Sequence, residues 1–473
     1  MRKKTKIVAT IGPATESEEM LTKLVLSGLN VMRLNFSHGD FAEHQKKVDN
    51  FRKVIKKTGQ PLAILQDLSG PKIRIGEFNT ERVQLVPGNK ITIVTGEPFI
   101  GTAERVYVNY KTLHEELKVG GRVLLDDGKK ELKVLSIKGN EINCEVVIGG
   151  DTKGRRGVNL PGAYLKTSSL TEKDRKDLEF GIKNKVDYVA LSFVRRAEDV
   201  IELKEILRSR KSHAHVISKI ETEEAVENPD KIIEASDGIM IARGDLAIEI
   251  PAEKVPLIQK HIIHMCNSLG KPVITATQML ESMIKSPVPT RAEVSDVANA
   301  ILDGTDAVML SEESTLGEYP LEAVNMMTKI AIEIENNNYP YRLALNDDRT
   351  GEVDIVDSIT GSVVNIAHDT GSKVVVAFTE SGFTARMISR YKPEQDILSM
   401  TPNEETYNRL ALSYGCVPVL IERAKDMDSA VVLAKKYILK TKQGEMGDNI
   451  VISSGTPFNK KDTKTNMLLV ETL

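Results

Sequence analysis

Lys219 and Glu221 lie two residues apart in an otherwise apolar stretch, His215-Val-Ile-Ser-Lys-Ile-Glu221. In a strand that spacing points both side chains to one face. A charge inside an apolar strand needs a partner. A divalent metal with a bound anion would serve both residues. Glu221, with Asp245 of Arg243-Gly-Asp245, offers hard oxygen ligands. A site with only two protein carboxylates suits magnesium, which takes its remaining ligands from water and from substrate phosphate or carboxylate. The competing reading is an internal salt bridge of Lys219 with Glu221 or Asp245.

Other apolar runs also end in polar residues: Thr10; Arg33, Asn35, Ser37 and His38; Asp67; Thr275, Thr277 and Gln278; and Ser311-Glu312-Glu313. These converge only if the runs are parallel strands ending at one rim, as in a (β/α)8 TIM barrel, whose chemistry sits at the carboxyl ends of its strands. Eight near-continuously apolar runs are present: Lys6–Gly12, Val31–Ser37, Leu62–Leu68, Asp187–Val194, His215–Glu221, Gly238–Leu246, Pro272–Leu280 and Asp306–Glu313. Continuous apolarity is what strands covered on both faces require. Helical periodicity follows the runs, and Thr290-Arg-Ala-Glu293 and Thr171-Glu-Lys-Asp174 are the capping boxes expected at two helix starts.

Between about Ser69 and Leu165 the helical period vanishes. Short alternating segments (Arg82–Val86, Lys90–Val94, Glu131–Ile137) alternate with Pro-Gly, Gly-Gly and Gly-Asn turns. This predicts a small β-barrel lid domain inserted after the third strand. Past Tyr339 a fresh alternation begins, with strands expected at Lys373–Thr379, Asp396–Thr401, Cys416–Glu422, Asn449–Ser453 and Met467–Val470. The expected division is residues 1–69 and 166–340 for the catalytic barrel, 70–165 for the lid, and 341–473 for a C-terminal doubly wound α/β domain.

The 473 residues carry 64 basic against 67 acidic side chains, no Trp and 4% aromatics, so neither field nor stacking platform favours nucleic acid. Cys144, Cys266 and Cys416 are far apart and read as buried thiols in a reducing cytosol. The apolar run after the basic Met1–Lys6 stops at Gly12-Pro13, too short for a signal core, and no run reaches the about 18 apolar residues of a membrane span. A cytoplasmic protein without membrane contact is expected.

Seven segments together carry a resemblance: Thr5–Pro13, Arg33–Gly39, Asp67–Arg74, Ile217–Glu221, Ala242–Leu246, Ala276–Leu280 and Pro289–Asp296. In type, order and spacing they resemble the pyruvate kinases, and the likeness spans nearly the whole chain. The resemblance implies transfer of the phosphoryl group of phosphoenolpyruvate to ADP, giving pyruvate and ATP in the last step of glycolysis. By it, Glu221 and Asp245 hold Mg2+, for which Mn2+ substitutes, and Lys219 contacts the phosphoryl group in transit. Gly244, Asp245, Thr277 and Arg33 join Lys219 in binding phosphoenolpyruvate. Lys219, Thr277, Arg33 and Ser311 are the expected catalytic set, with a water and hydroxyl relay near Thr277 and Ser311 protonating the enolate. Thr10, Asn35, His38, Arg74 and Arg156 fall to the nucleotide. In the third domain, Thr379, Ser381, Gly382 and Thr384 match a loop used for phosphorylated effectors, implying allosteric control, and members are usually homotetramers.

The departures are informative. Many members bind K+ through the residues matching Asn35, Ser37, Asp67 and the carbonyl of Leu68, and carry Glu where this chain has Lys72. Two monovalent cations in one small site would repel, so Lys72 is expected to take the role of K+, as in the branch of the family that works without it. Arg156 replaces a usual Lys, and Ala247 and Glu312 replace usual glycines. His261-Ile-Ile-His264 has metal-like spacing but sits on a helix away from the rim, which favours a structural reading. Two alternatives stand beside this assignment. One is a magnesium-dependent carbon–carbon lyase on a related barrel, which leaves the insert and Arg33–His38 without a job; the other is a non-catalytic effector-binding relative.

Overall fold

The structure, a computed structural model, describes residues 3–337, 354–458 and 463–473. The expected domain boundary at 340 and 341 lies outside the described residues.

All eight apolar runs become strands, and they close into a parallel barrel in sequence order. In turn they are Lys6–Thr10, Val31–Asn35, Ala63–Asp67, Tyr188–Leu191, His215–Ile220, Gly238–Ala242, Val273–Ala276 and Ala307–Leu310. Alternation sorts each strand's residues: Val189 and Leu191 pack outward against the helices, Tyr188 and Ala190 into the barrel interior. Several strands stop short of their runs. The sixth was expected to reach Leu246 but turns into a helix, Arg243–Glu249. The cause is local: the Gly244 N–H donates to Thr277 Oγ1 (2.8 Å), and the Arg243 guanidinium folds back onto the Ala276 and Thr277 carbonyls (3.3 and 2.9 Å). Both expected capping boxes form.

The amino end of the barrel repeats one device at every second strand. A polar residue just before each even strand accepts the N–H at or near the start of the preceding odd strand. Asn30 takes Ile7 (3.0 Å), Asp187 takes Ile64 (2.8 Å), Asp237 takes Val216 (2.9 Å) and Asp306 takes Val273 (3.1 Å). Each thus satisfies a backbone donor that burial would otherwise strand.

The insert is a six-stranded sheet with its own core, flanked by a two-stranded ribbon. Its expected strands lie at Val83–Leu85, Lys90–Val94 and Lys130–Lys138. The segment Arg74–Ile75 bridges to Gly157 beside one edge strand and to Val108 beside the other, which closes the sheet into a small barrel.

The C-terminal sheet uses Val374–Phe378, Asp396–Thr401, Cys416–Leu420, Asn449–Gly455 and Thr465–Thr472. Numbered along the chain its order is 3-2-1-4-5, the last strand antiparallel, with a buried cluster on either face. This is the doubly wound arrangement expected. It docks on the amino end of the barrel, where Ala411 and Leu412 enter the barrel's interior cluster. Lys392 pairs with Asp306 (3.0 Å) and Tyr188 Oη donates to the Arg409 carbonyl (2.7 Å). Among the described residues no helix is long and apolar enough to cross a membrane.

Candidate active site

At the carboxyl rim the Lys219 ammonium is buried and touches three acceptors: Glu221 Oε1 and Ser192 Oγ, both at 2.8 Å, and Asp67 Oδ1 at 3.3 Å. Burial alone would pull its pKa down; Asp67 and Glu221 outweigh that and hold it above the ordinary lysine value. The salt bridge weighed from the sequence is therefore present, as one arm of a larger network. Asp67 also receives the Arg33 guanidinium, with Nε and Nη2 both 2.7 Å from Oδ2. Burial opposes charge on Asp67, yet Lys219 and Arg33 keep its carboxyl below the usual range. Thr10 is buried beneath, accepting from Arg33 Nη1 (2.7 Å) and donating to the Leu310 carbonyl (3.0 Å).

Glu221 is 1% exposed, and its second oxygen accepts the Phe193 N–H at 2.8 Å. Burial first, and the nearby Asp245 charge with it, push its pKa up against the pull of Lys219. A buried carboxylate whose proton affinity is raised by burial and by a neighbouring carboxylate is what a divalent cation relieves, so Glu221 with Asp245 fits Mg2+. Asp245 stands half-buried in the first turn of its helix. Beside it a Cβ on Gly244 would come 3.3 Å from Thr277 Oγ1, and Thr277 itself has φ 69°. That is left-handed backbone, rare for a β-branched residue and typical of functional sites. Arg243 holds the turn through a two-pronged pair with Asp296, both contacts 2.7 Å. Glu313, buried, ties the ends of strands seven and eight by accepting the Leu280 and Ser311 N–H groups (3.2 and 2.7 Å).

A cleft of about 550 Å³ separates this rim from the insert. His38, Lys72, Arg74, Arg156, Asp245 and Glu312 line it, so three of the five residues expected at the nucleotide end share one cavity with a metal-ligand candidate, while Thr10, buried under Arg33, and Asn35 do not line it. Glu312, unplaced by sequence, is exposed on the cleft wall. His38 has its pKa lowered, by burial and then by Lys72, Arg74 and Arg33, against Glu312. Lys72 feels Lys219, Arg74, Asp245 and Asp67 across the cleft; its walls and then the cations lower its pKa. Insert and barrel touch where Asn159 Nδ2 donates to Glu249 Oε1 (3.1 Å).

Sequence reasoning located strand four but passed over its end, which supplies Ser192 to Lys219 and the Phe193 N–H to Glu221. The available signal was a polar residue closing the apolar run Tyr188–Leu191, the same signal used on other strands. His261 and His264 lie on the helix Val255–Ser268, and no cluster that would hold a metal, of three or more His, Cys, Asp or Glu, occurs among the described residues.

Fold and site define a (β/α)8 barrel that gathers a buried lysine and several carboxylates at its carboxyl rim, beside a cleft of mixed charge shared with the β insert. Residues 2–324 match the family model "Pyruvate kinase, barrel domain" and residues 357–471 match "Pyruvate kinase, alpha/beta domain". The chain is 47% identical over 469 residues to a pyruvate kinase of Staphylococcus saprophyticus, covering 98% of this chain and 80% of that one. It is 46% identical over 470 residues to one of Staphylococcus aureus, covering 99% of this chain and again 80% of the relative. The crystal structure of a pyruvate kinase from Cryptosporidium parvum superposes with a TM-score of 0.95 at 37% identity, covering 99% of this chain and 96% of that one. The chain belongs to the pyruvate kinase family, transferases of glycolysis that are generally Mg2+-dependent. The lyase reading is thereby set aside.

Proposed function

We infer that this chain moves the phosphoryl group of phosphoenolpyruvate to ADP, releasing pyruvate and ATP. The observation that carries the residue assignment is Lys219, held charged at the rim between Glu221 and Asp67. Phosphoryl transfer needs positive charge placed around the migrating group more than it needs covalent chemistry. Glu221 and Asp245 would hold Mg2+, which supplies the second positive centre when bound. Arg33, fixed by Asp67 and Thr10, and Lys219 would face the phosphoryl oxygens. Gly244, Asp245 and Thr277 would receive the carboxylate of phosphoenolpyruvate, with Thr277 and Ser311 near the enolate. Asn35, His38, Arg74 and Arg156 would meet the nucleotide, and the insert would close over the cleft to exclude water.

We propose further that K+ is dispensable. The Asn35 side-chain oxygen accepts the Ser37 N–H (3.1 Å), Asp67 is occupied by Arg33 and Lys219, and the Leu68 carbonyl accepts Ser192 Oγ (2.7 Å). Three of the four expected K+ ligands are thus engaged within the protein, and Lys72 lies within electrostatic reach of Asp245 and Asp67, as well as of Lys219 and Arg74. The measurement is pyruvate formation from phosphoenolpyruvate and ADP with Mg2+, with and without K+ at matched ionic strength. Equal turnover in both supports the reading. Turnover only with K+ discards the role of Lys72, and none in either discards the transfer reaction.

A phosphorylated effector would bind in a cavity of about 340 Å³ lined by Thr379, Ser381, Thr384, Arg409 and Arg423. It opens where strands one and four of the C-terminal sheet diverge, the switch point at which such sheets bind ligands. Gly382, at φ 83°, makes the turn, while the Thr384 hydroxyl is shared with Thr465 (2.8 Å). A screen of phosphate metabolites that leaves the phosphoenolpyruvate half-saturation unchanged removes this part. A cytoplasmic homotetramer using Mg2+ or Mn2+ completes the proposal.

A further inference from the structure

Ser192 lies inward at the end of strand four, since Val189 and Leu191 pack outward and Tyr188 and Ala190 inward. It is 2% exposed. Its Oγ accepts from Lys219 Nζ at 2.8 Å and lies 2.7 Å from the Leu68 carbonyl and 3.4 Å from Asp67 Oδ1. A serine hydroxyl has a single proton. The shorter contact assigns that proton to Leu68, which leaves the oxygen lone pairs facing Lys219.

The surroundings hold this arrangement still. A Cβ on Gly70 would come within 3.0 Å of Ser192 Cβ and 2.8 Å of Phe193 Cδ2, so only glycine lets the exit of strand three press on this turn. Phe193, at φ 53°, is bent into left-handed backbone that a bulky side chain disfavours, and the bend aims its N–H at Glu221.

The ammonium has three N–H groups, and here each has an acceptor: Glu221, Asp67 and Ser192. They differ in what else they can do. Glu221 is a metal-ligand candidate and Asp67 is tied to Arg33, whereas Ser192 is neutral and committed to Leu68. Were Glu221 to hold a metal, its contact with the Lys219 ammonium would be given up, and the direction of the freed N–H would depend on the acceptors that remain.

We propose that Ser192 is a positioning residue for phosphoryl transfer: its hydroxyl, locked by the Leu68 carbonyl, orients the Lys219 ammonium so that the N–H given up by Glu221 points at the phosphoryl group. This rests on the assignment of Lys219 to that group. The test is steady-state kinetics with Mg2+, phosphoenolpyruvate and ADP for wild type, Ser192→Ala, Ser192→Thr and Lys219→Met. Melting temperature and Mn2+ affinity of the substrate-free proteins are measured alongside.

A lost hydrogen bond to a charged group predicts that Ser192→Ala lowers kcat about 10- to 100-fold. KM for phosphoenolpyruvate stays within about twofold, because the interaction is spent in the transition state. Mn2+ affinity and melting temperature stay near wild type, and Ser192→Thr, which keeps a hydroxyl, recovers most of kcat. Unchanged kcat in Ser192→Ala overturns the proposal. So does an equal loss in the Ala and Thr variants, which marks packing, or a fall in Mn2+ affinity in step with kcat, which marks a role through the metal. Wild-type turnover in Lys219→Met would instead overturn the assignment beneath it.

Discussion

At the carboxyl rim of the barrel, Lys219, Glu221, Asp67 and Arg33 bond chiefly to one another; at the amino end, Asp187, Asp237 and Asp306 each commit a carboxylate oxygen to the backbone of a neighbouring strand, even where Lys204 and Lys392 also pair with Asp237 and Asp306. The residue types are similar at both ends, and both sets are largely buried. The difference lies in the partners. A side chain whose partner is another side chain can exchange it for substrate or metal, whereas one that satisfies a strand N–H cannot leave without orphaning that donor. The rim is therefore open to the cleft, while the amino end is sealed by Ala411 and Leu412 from the C-terminal domain.

The sharpest way to break this contrast is at the metal pair. Glu221→Ala is expected to raise the Mg2+ requirement and lower kcat/KM about 10³-fold, on the scale of a lost transition-state contact. Mg2+ titration of initial rates checks it. The counterpart at the sealed end is Leu412→Ala, which opens a void at the base of the barrel interior. It should cost about 2–5 kcal/mol of stability while active enzyme keeps near wild-type kcat, read from denaturant melts and from rates normalised to folded protein.

The smallest effect expected is a pH dependence at Asp187. Burial pushes its carboxyl up to about 7, against the Ile64 N–H and Arg409. The folded state thus favours the protonated acid. The stability this contributes is fully present below about pH 4 and is lost as pH rises through 7. Asp187→Asn keeps an oxygen for Ile64 and removes the titration. Its stability relative to wild type should rise by on the order of 1–2 kcal/mol between pH 5 and 8, with kcat unchanged. A melting-temperature difference independent of pH would contradict this.

Much of this contrast was legible in the sequence, because both ends leave a mark on an apolar run. Lys219 and Glu221 stood out by their spacing, and the run lengths located all eight strands. The run lengths overshot where the chain stays apolar past the ladder, as at Gly238–Leu246, because hydrophobicity does not record the Arg243 and Thr277 contacts that turn the strand into a helix. Ser192 escaped attention although the same polar ending was read at Thr10 and Ser311, because its tie to Lys219 runs to the next strand and shows only in the register between the two. The repeat of Asn30, Asp187, Asp237 and Asp306 was present as a polar residue before each even strand. Its meaning required the register between strands, which no single run contains.

The most direct measurement is pyruvate release from phosphoenolpyruvate, ADP and Mg2+ by wild type and Lys219→Met, with circular dichroism on the same samples. The account predicts turnover in the wild type and a loss of about 10³-fold or more in the variant, with the barrel's helical signal intact. Turnover by Lys219→Met within a few-fold of wild type would contradict it, and would move the chemistry away from the rim network.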